Sequence, residues 1–416
     1  MNYSEIMGKL EAMPNVKRSD IVYKHMHDPA IIRYYYRIKN APFTDKLNLA
    51  GSSPTEIFIG NYGYPKVFIG PMVPPDFGDT SLLATPERWT YMKIEDIVDM
   101  RSRLVRGKYQ TNVRNVESGR IEEMVRELAL AERSAESELE FAKKPMVRLV
   151  LRDEVQPFGP SAEIKHFELY NIKADRKLES LNMDYDASAK DAIVELYNRN
   201  VEISRIQRGF SAGLFGLKNN RRFVPTRWGI TAVDDIISRE NLKTVKDMEP
   251  VDTIYAYYNS ALDNRWLIFF IPGNWQYESI EAWYPNTIWN EDSSKISIYS
   301  SYEPFEGRKD YAEIGGCYYA ARVAVSEKLL MLKRQAVVLI LREVHEGYVM
   351  PVGVWNVREH VRQTLQTEPI ILNNFDDMLN ITESKMEISP KNWIMNSRIL
   401  KDLLMQKRLS EYIKAQ

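Results

Sequence analysis

The sequence has almost no cysteine, since Cys317 is the single one among its 416 residues. One thiol excludes an internal disulfide framework and a zinc site built from several cysteines. The sequence also has no apolar run of about 18 residues, the length that a membrane span needs. Its amino end, MNYSEIMGKLEAM, lacks the apolar core of a signal peptide. We therefore expect a soluble, cytoplasmic protein with no membrane partner.

An excess of one charge and the common catalytic motifs are missing as well. The net charge is −1, so any nucleic-acid binding must depend on a local basic patch. A P-loop, the dinucleotide fingerprint GxGxxG and the zinc motif HExxH are absent. GFSAG at 209–213 has the form of a nucleophile elbow, but the charged segment before it is not the hydrophobic strand that such an elbow follows. Serine hydrolase chemistry is therefore disfavoured.

The composition is that of a globular protein, with 44% hydrophobic and 27% charged residues. The pattern predicts a mixed α/β (α+β) fold, in which helices pack on a central, largely antiparallel sheet. We place a helical amino-terminal region at 1–145, an α+β core domain at 146–398 and a carboxyl-terminal tail at 399–416. Within the first region, apolar residues at helical spacing from 118 to 143, with glutamates between them, predict one long helix.

The central sheet is predicted most clearly at three strands, 253–258, 266–271 and 276–284, which are spaced like an antiparallel meander. The middle segment has no polar residue, so it should be a central strand buried on both faces. An almost wholly apolar helix at 316–332 should pack on this sheet. Its one early charge, Arg322, needs a carboxylate partner in a buried setting, and Glu281 is the candidate.

The densest polar chemistry lies between residues 204 and 235. Six cations fall within 23 residues there: Arg205, Arg208, Lys218, Arg221, Arg222 and Arg227. Glycines interrupt the adjoining apolar run and permit positive φ or close approach. Thr231 is a plausible N-cap, with Asp234 and Asp235 in the turn that follows it. The stretch is thus predicted to be a flexible basic loop that leads into a helix begun by two acids, a combination typical of a functional site.

Five blocks of sequence occur in a fixed order along most of the chain. They are SSPTEIFIGNYGYPKVFIGPMVPP (52–75), GPSA (159–162), RGFSAGLFG with RRFVPTRWGITAVDD (208–235), GGCYYAARVAVSEKL (315–329) and RQAVVLILREVHEGYVMPVGVWNVRE (334–359). Together they resemble the archaeal Nre family of DNA repair proteins. The resemblance implies a role in archaeal DNA repair together with the sliding clamp (PCNA), but it carries no catalytic residue. Members often begin with a cysteine-rich segment, which this sequence lacks, so a function tied to that segment is absent or performed differently.

The carboxyl end agrees with the link to the clamp. Clamp-binding peptides follow Q-x-x-(aliphatic)-x-x-(aromatic)-(aromatic). Here Gln406, Leu409 and Tyr412 occupy the first three key positions, and Ile413 replaces the second aromatic residue. A short helical turn would project Leu409 and Tyr412 into a hydrophobic pocket, with Gln406 bonded at its rim. The alternative is that these residues only finish an amphipathic terminal helix.

Three functions remain open for the basic stretch. In the first, the six cations contact DNA phosphates, and Phe223 or Trp228 stacks on an unpaired or damaged base. In the second, Asp234, Asp235 and Glu281 bind a divalent cation or supply a general base for processing damaged DNA. Adjacent aspartates on a helix point about 100° apart, which disfavours a shared ion and favours structural ion pairs with the arginines. The third is a non-catalytic adaptor that brings repair enzymes to the clamp.

Overall fold

The structure is a computed structural model that describes residues 38–39, 41–147, 155–287, 289–290 and 294–405. Contacts divide the chain into two compact units. The first extends to Ile237 and includes Met350–Trp355, and the second holds Ser238–Val349 and the residues from Asn356 onward. Each unit combines helices with a mixed sheet, which confirms the predicted mixed α+β fold. The predicted domain boundaries at 145 and 398 fall inside these units.

In the described ranges, the first unit is built on a six-stranded sheet. Its strands are β1 (Asn48–Ser53), β2 (Lys66–Ile69), β3 (Met72–Val73), β4 (Val105–Asn112), β5 (Ala135–Phe141) and β6 (Ser161–Tyr170). The strand order is β1-β5-β6-β4-β2, and β3 also pairs with β4. The β4–β6 pair is parallel and the other pairs are antiparallel.

The helices of this unit lie between and after the strands. They are α1 (Ile94–Ser102), α2 (Arg120–Leu130), α3 (Arg176–Asn182), α4 (Ala189–Asn198), α5 (Ile203–Ser211) and α6 (Thr226–Val245), the last of which continues into the second unit. Short 3₁₀ helices occur at Pro42–Asp45, Ser81–Ala84, Pro86–Arg88 and Lys218–Asn220.

The prediction of one helix over 118–143 is wrong in its second half, where the chain forms β5. Ala135, Ser137, Leu139 and Phe141 are buried along this strand, and the glutamates between them are exposed, which is the period of two of a half-buried strand. β5 pairs with β1 on one side and β6 on the other. These long-range hydrogen bonds outweigh the helix preference of the glutamates.

In its described part, the second unit holds another six-stranded sheet. Its strands are β7 (Ile254–Ala261), β8 (Asn264–Ile271), β9 (Gln276–Trp283), β10 (Ser297–Glu303), β11 (Val337–Val344) and β12 (Ile370–Leu372). The order is β10-β9-β11-β8-β7-β12, with β9 and β11 parallel and all other pairs antiparallel. The segment 266–271 is a buried inner strand, as predicted. The predicted meander is wrong in one respect, because the apolar strand β11 lies between β8 and β9.

Helices cover both faces of this second sheet. They are α7 (Gly316–Leu332), α8 (Trp355–Gln366), α9 (Phe375–Lys385) and α10 (Pro390–Asn396), followed by a helix at 398–405. On one face, the Tyr277 hydroxyl donates to the carbonyl of Tyr318 in α7, and His360 of α8 stacks on Trp266. On the other face, Met378 and Trp393 pack against the sheet. Among the helices in the described ranges, none is both long enough and apolar enough to cross a bilayer.

Two buried glutamates of the second sheet hold the carboxyl-terminal part of the chain. Glu278 accepts the backbone N–H groups of Arg398 and Ile399, at 2.8 and 2.9 Å. Glu343 accepts the N–H of Ile388 at 2.8 Å. A carboxylate is well placed at a helix amino terminus, because it satisfies unpaired N–H groups and meets the positive end of the dipole. The helix at 398–405 therefore begins at a fixed point on the sheet.

The partner predicted for Arg322 was Glu281, and this prediction is wrong. Arg322 pairs with Glu303 of β10, whereas Glu281 accepts a hydrogen bond from Arg342 of β11 at 2.6 Å. Arg342 lies directly opposite Glu281 in the parallel β9–β11 register. Because β11 is inserted beside β9, the sheet itself supplies the arginine that Glu281 needs, and Arg322 takes its carboxylate from the next strand.

Candidate functional site

The basic stretch 204–235 is more ordered than predicted, since most of it is helical. α5 takes up its first part, and α6 begins at Thr226, not at Thr231. The N–H groups of Trp228 and Gly229 donate to the carbonyl of Pro225 and form the first turn of α6. Asp234 and Asp235 consequently lie in the third turn, away from the positive end of the helix dipole.

The glycines of this stretch do have the two roles expected of them. Gly213 and Gly216 adopt φ of +68° and +110°, and so allow the turn after α5. Gly209 lies within α5, where a Cβ would be 2.7 Å from the ring of Phe215. The turn therefore packs tightly on α5 and presents the predicted cations in fixed directions.

Three predicted DNA-contacting residues lie in different settings around this turn. Arg221 is buried, and its guanidinium donates to the carbonyls of Gly216 and Asp184 at 2.8 and 2.7 Å. Burial also lowers the pKa of Arg221. Lys218 is exposed and Arg222 is half-buried. Arg221 thus holds the turn together through hydrogen bonds to backbone carbonyls, whereas the side chains of Lys218 and Arg222 are more exposed to solvent.

The remaining predicted residues of the stretch are enclosed to different degrees. Arg227 is half-buried on the first turn of α6. Trp228 is buried and packs on Tyr64, with ring centroids 5.1 Å apart. An indole held in this way offers little surface for stacking on a base.

The three carboxylates considered for catalysis belong to different units. Asp234 and Asp235 lie in the first unit, and Glu281 lies in the second. Asp234 is buried and accepts a hydrogen bond from Gln207 at 3.0 Å. Within the described ranges, no group of three or more His, Cys, Asp or Glu side chains is arranged to hold a metal ion. The catalytic role of these carboxylates stays a prediction.

The first unit contains a large polar cleft of about 1040 Å³. Five segments that are distant in sequence form it: residues 52–55, 78–88, 132–136, 171–177 and 200–208. Six cationic side chains line it: Arg88, Arg133, Arg176, Lys177, Arg205 and Arg208. Two of these, Arg205 and Arg208, were predicted to contact DNA.

Arg208 and Arg205 are the enclosed cations of the cleft. Arg208 donates to Glu56 at 3.0 Å and to the carbonyl of Ala84 at 2.6 Å. Arg205 donates to the carbonyl of Ala131 at 2.8 Å and pairs with Asp175 at 3.0 Å. Burial and the neighbouring charge of Arg208 lower the pKa of Arg205. These two arginines tie α5 to the surrounding loops and leave positive charge at the inner wall.

Arg88, Arg133 and Arg176 are exposed and supply the outer cations. The cleft is also lined by carboxylates, most of which bond to other protein groups. Glu132 pairs with Lys173 at 2.6 Å, and Asp79 accepts the N–H of Ser81 at 2.9 Å. Hydrogen bonding to Ser81 lowers the pKa of Asp79. Six cations and five carboxylates line the cleft in all, a formal net charge of +1, and the exposed arginines are cations that a ligand can reach at its opening.

Three of the seven described non-glycine residues with positive φ line this cleft. Thr55, Asn171 and Asn200 line it and adopt positive φ of 61°, 55° and 57°. Asparagine tolerates the left-handed region, but a β-branched threonine there is an outlier. The loop of Thr55 is held by the hydrogen bond from Met72 N–H to the Glu56 carbonyl and by the Glu56–Arg208 pair. Strained residues of this kind tend to occur at functional sites, where the surrounding structure enforces them.

Sequence reasoning missed most of the cleft. Arg88, Arg133, Arg176 and Lys177 are isolated cations in ordinary charged segments, and no local pattern joins them. The predicted clamp-binding residues Gln406, Leu409, Tyr412 and Ile413 lie outside the described residues. The structure does place the start of the preceding helix, which Glu278 fixes.

Comparison with known proteins gives matches along most of the chain. The model described as "Archaeal Nre, N-terminal" matches residues 27–290, and "Archaeal Nre, C-terminal" matches residues 303–412. "DNA repair protein NreB" of Archaeoglobus fulgidus is 36% identical over 85% of this chain and 89% of its own length. "DNA repair protein NreA" of Haloferax volcanii is 33% identical over 81% of this chain and 83% of its own. No solved structure matches the chain.

A second protein of A. fulgidus, also named "DNA repair protein NreA", is 32% identical over 82% of this chain and 85% of its own length. The first family model alone covers more than half of the chain. The blocks that suggested the resemblance lie within the matched ranges. The chain therefore belongs to the archaeal Nre family.

Proposed function

We propose that this protein acts in DNA repair by holding the sugar–phosphate backbone of DNA in the cleft of the first unit. Three relatives carry the name DNA repair protein, which supports the general role. The observation that carries the proposal is the set of exposed arginines, Arg88, Arg133 and Arg176, around one polar cleft. Arginine forks match phosphate oxygens, and such contacts position DNA without reading its sequence.

The inner wall of the cleft supports the same function. Arg205 and Arg208 add positive charge beneath the exposed arginines, although their own carboxylate partners partly neutralise it. Since the net charge of the chain is −1, this local patch must supply the affinity.

The test is the salt dependence of DNA binding in a variant with Arg88, Arg133 and Arg176 changed to Ala. Each phosphate contact that is lost reduces the slope of log K against log salt by roughly 0.7 to 0.9. We therefore expect the slope to fall by about two to three, with a similar loss for different sequences. The matched control changes Arg114, Arg120 and Lys165 to Ala, since these are exposed cations of the same unit outside the cleft. If both variants keep the parental slope, the cleft does not bind DNA.

We also propose that the segment Gln406–Ile413 binds the sliding clamp. The support is its side-chain pattern together with the anchored helix at 398–405 that leads into it. Leu409 and Tyr412 would supply most of the affinity, because apolar and aromatic anchors dominate such contacts. Ile413 buries less surface than an aromatic ring, so we expect micromolar affinity, about −8 kcal/mol.

Calorimetry of the full chain against the clamp tests this second part. A variant with Leu409→Ala and Tyr412→Ala should give no measurable heat, whereas the parent should bind. The control changes Lys401 and Asp402, two exposed positions of the preceding helix, to Ala. Binding by the Leu409 and Tyr412 variant at parental affinity would show that these residues only end a helix.

A further inference from the structure

The cleft has cations for phosphates but no surface for bases. Within the described ranges, its lining contains no aromatic side chain. Backbone contacts alone do not distinguish an unpaired strand from a duplex, whereas stacking on an aromatic ring requires an exposed base. An aromatic group at the edge of the cleft would therefore add a preference for unpaired DNA.

Phe77 is an exposed aromatic residue that adjoins the cleft lining in the sequence without being a lining residue itself. It is 68% exposed, and it directly precedes Gly78 and Asp79, both of which line the cleft. A single exposed phenylalanine is not unusual in itself. The residues next to this one in the chain, Asp76 and Gly78 to Thr80, are polar residues and glycine.

The backbone of this turn is held firmly against β1. The N–H of Ser52 donates to the Asp76 carbonyl at 2.6 Å, and the N–H of Gly78 donates to the Ser52 hydroxyl at 3.0 Å. The Thr80 hydroxyl donates to the Ser52 carbonyl at 2.7 Å. A Cβ on Gly51 would lie 1.9 Å from the Pro74 carbonyl oxygen, so the approach of the two segments requires glycine.

These contacts fix the backbone on both sides of Phe77 and leave its ring exposed. A rigidly placed aromatic ring binds with less loss of conformational entropy than one on a mobile loop. We infer that Phe77 stacks on an unpaired base of a DNA strand whose phosphates lie along the cleft arginines. The inference rests on the proposed DNA binding and assigns single-stranded or locally unpaired DNA as its substrate.

Two single-stranded probes of equal length test the inference: oligodeoxyadenylate and a strand of abasic sugars. Phe77→Ala should weaken binding to oligodeoxyadenylate roughly five- to 150-fold, because stacking on one base contributes about 1 to 3 kcal/mol. It should leave the salt slope and the affinity for the abasic strand unchanged. Phe77→Trp should bind oligodeoxyadenylate as the parent does. With 2-aminopurine in the strand, the parent should change its fluorescence on binding and Phe77→Ala should change it less.

Tyr62→Ala is the matched control, since Tyr62 is 80% exposed in another turn of the same unit and neither of its neighbours in the sequence lines the cleft. It should bind both probes like the parent. Equal affinity of Phe77→Ala and the parent for oligodeoxyadenylate would overturn the inference, as would an equal loss on the abasic strand. If the parent binds neither probe nor a duplex of the same length, the proposed function itself fails, whereas binding of the duplex alone would overturn only the inference. If the parent binds both single-stranded probes with a steep salt slope and Phe77→Ala has no effect, the cleft remains and only the stacking role is lost.

Discussion

Arginines have opposite roles at the cleft of the first unit and in the buried cluster of the second. In the first, arginines and their carboxylates surround an open cleft, and several guanidinium groups are exposed. In the second, Arg322 and Arg342 are 1% and 2% exposed, and each pairs with a glutamate inside the sheet. An exposed arginine is available to a ligand, whereas a buried pair is needed to avoid an isolated charge.

The buried cluster of the second unit is fully occupied by its own groups. Glu303 accepts hydrogen bonds from Tyr318 at 2.7 Å and Trp275 at 3.1 Å in addition to Arg322. Burial alone would raise the pKa of Glu303, but the charge of Arg322 and these hydrogen bonds outweigh it and lower the pKa. The comparison shows that accessibility, and not the number of arginines, separates a binding surface from a structural network.

The largest expected effect is on the buried network. Glu303→Ala leaves the Arg322 charge without a partner, and we expect a loss of about 3 to 5 kcal/mol in the free energy of unfolding. Denaturant unfolding measures this loss. Glu132→Ala, at an exposed pair on the cleft, should change stability little. Equal losses of stability in the two variants would contradict the division between buried, structural ion pairs and accessible ones.

The same carboxylate should make stability depend on pH. Because the folded pKa of Glu303 lies below its ordinary value of 4.5, its contribution is complete above that value. It is then lost as the pH falls through the lower folded pKa. Thermal unfolding of the parent should therefore shift to lower temperature in this acidic window, and Glu303→Gln should show a flatter dependence. If the melting temperatures of the parent and Glu303→Gln change with pH in the same way, the stabilising role of the Glu303–Arg322 pair is contradicted.

The smallest expected effect concerns the left-handed residues. Asn200 lies at the cleft with φ of +57°, and Lys333 ends α7 in the second unit with φ of +54°. Glycine at either position relieves strain but adds freedom to the unfolded chain, so stability should change by about 1 kcal/mol or less. Only Asn200→Gly should also weaken DNA binding, by a small factor, because it loosens the cleft backbone. Equal DNA affinities of the two glycine variants would remove the functional role of this strain.

Local sequence patterns predict the elements that are apolar on every side, because such elements are buried whichever strands or helices pack against them. Strand β8 is apolar on both faces, and helix α7 is apolar almost throughout, so each can only be buried. The segment that became β5 was mispredicted because its buried residues fit both periods, and pairing with β1 and β6 decides between them. The position of β11 between β8 and β9 depends on contacts far apart in the sequence, which no local period encodes.

The cleft could be predicted only in part for the same reason. Arg205 and Arg208 belong to a dense basic stretch, which drew attention to them. Arg88, Arg133 and Arg176 come from three other segments and meet only in the folded unit. Conversely, the density of cations in the basic stretch suggested a surface role for Arg221. The Arg221 guanidinium is instead turned inward to backbone carbonyls. Charge density along a sequence does not report the direction of a side chain.

Hydrogen-exchange mass spectrometry of the full chain, with and without a single-stranded oligonucleotide, tests the central claim most directly. If the cleft of the first unit holds the DNA backbone, peptides that cover 78–88, 171–177 and 200–208 should be protected on binding. Peptides from the buried network of the second unit, such as those covering 276–283 and 316–332, should exchange at the same rate in both samples. Protection confined to the second unit, or to 218–222 without the cleft segments, would contradict the account.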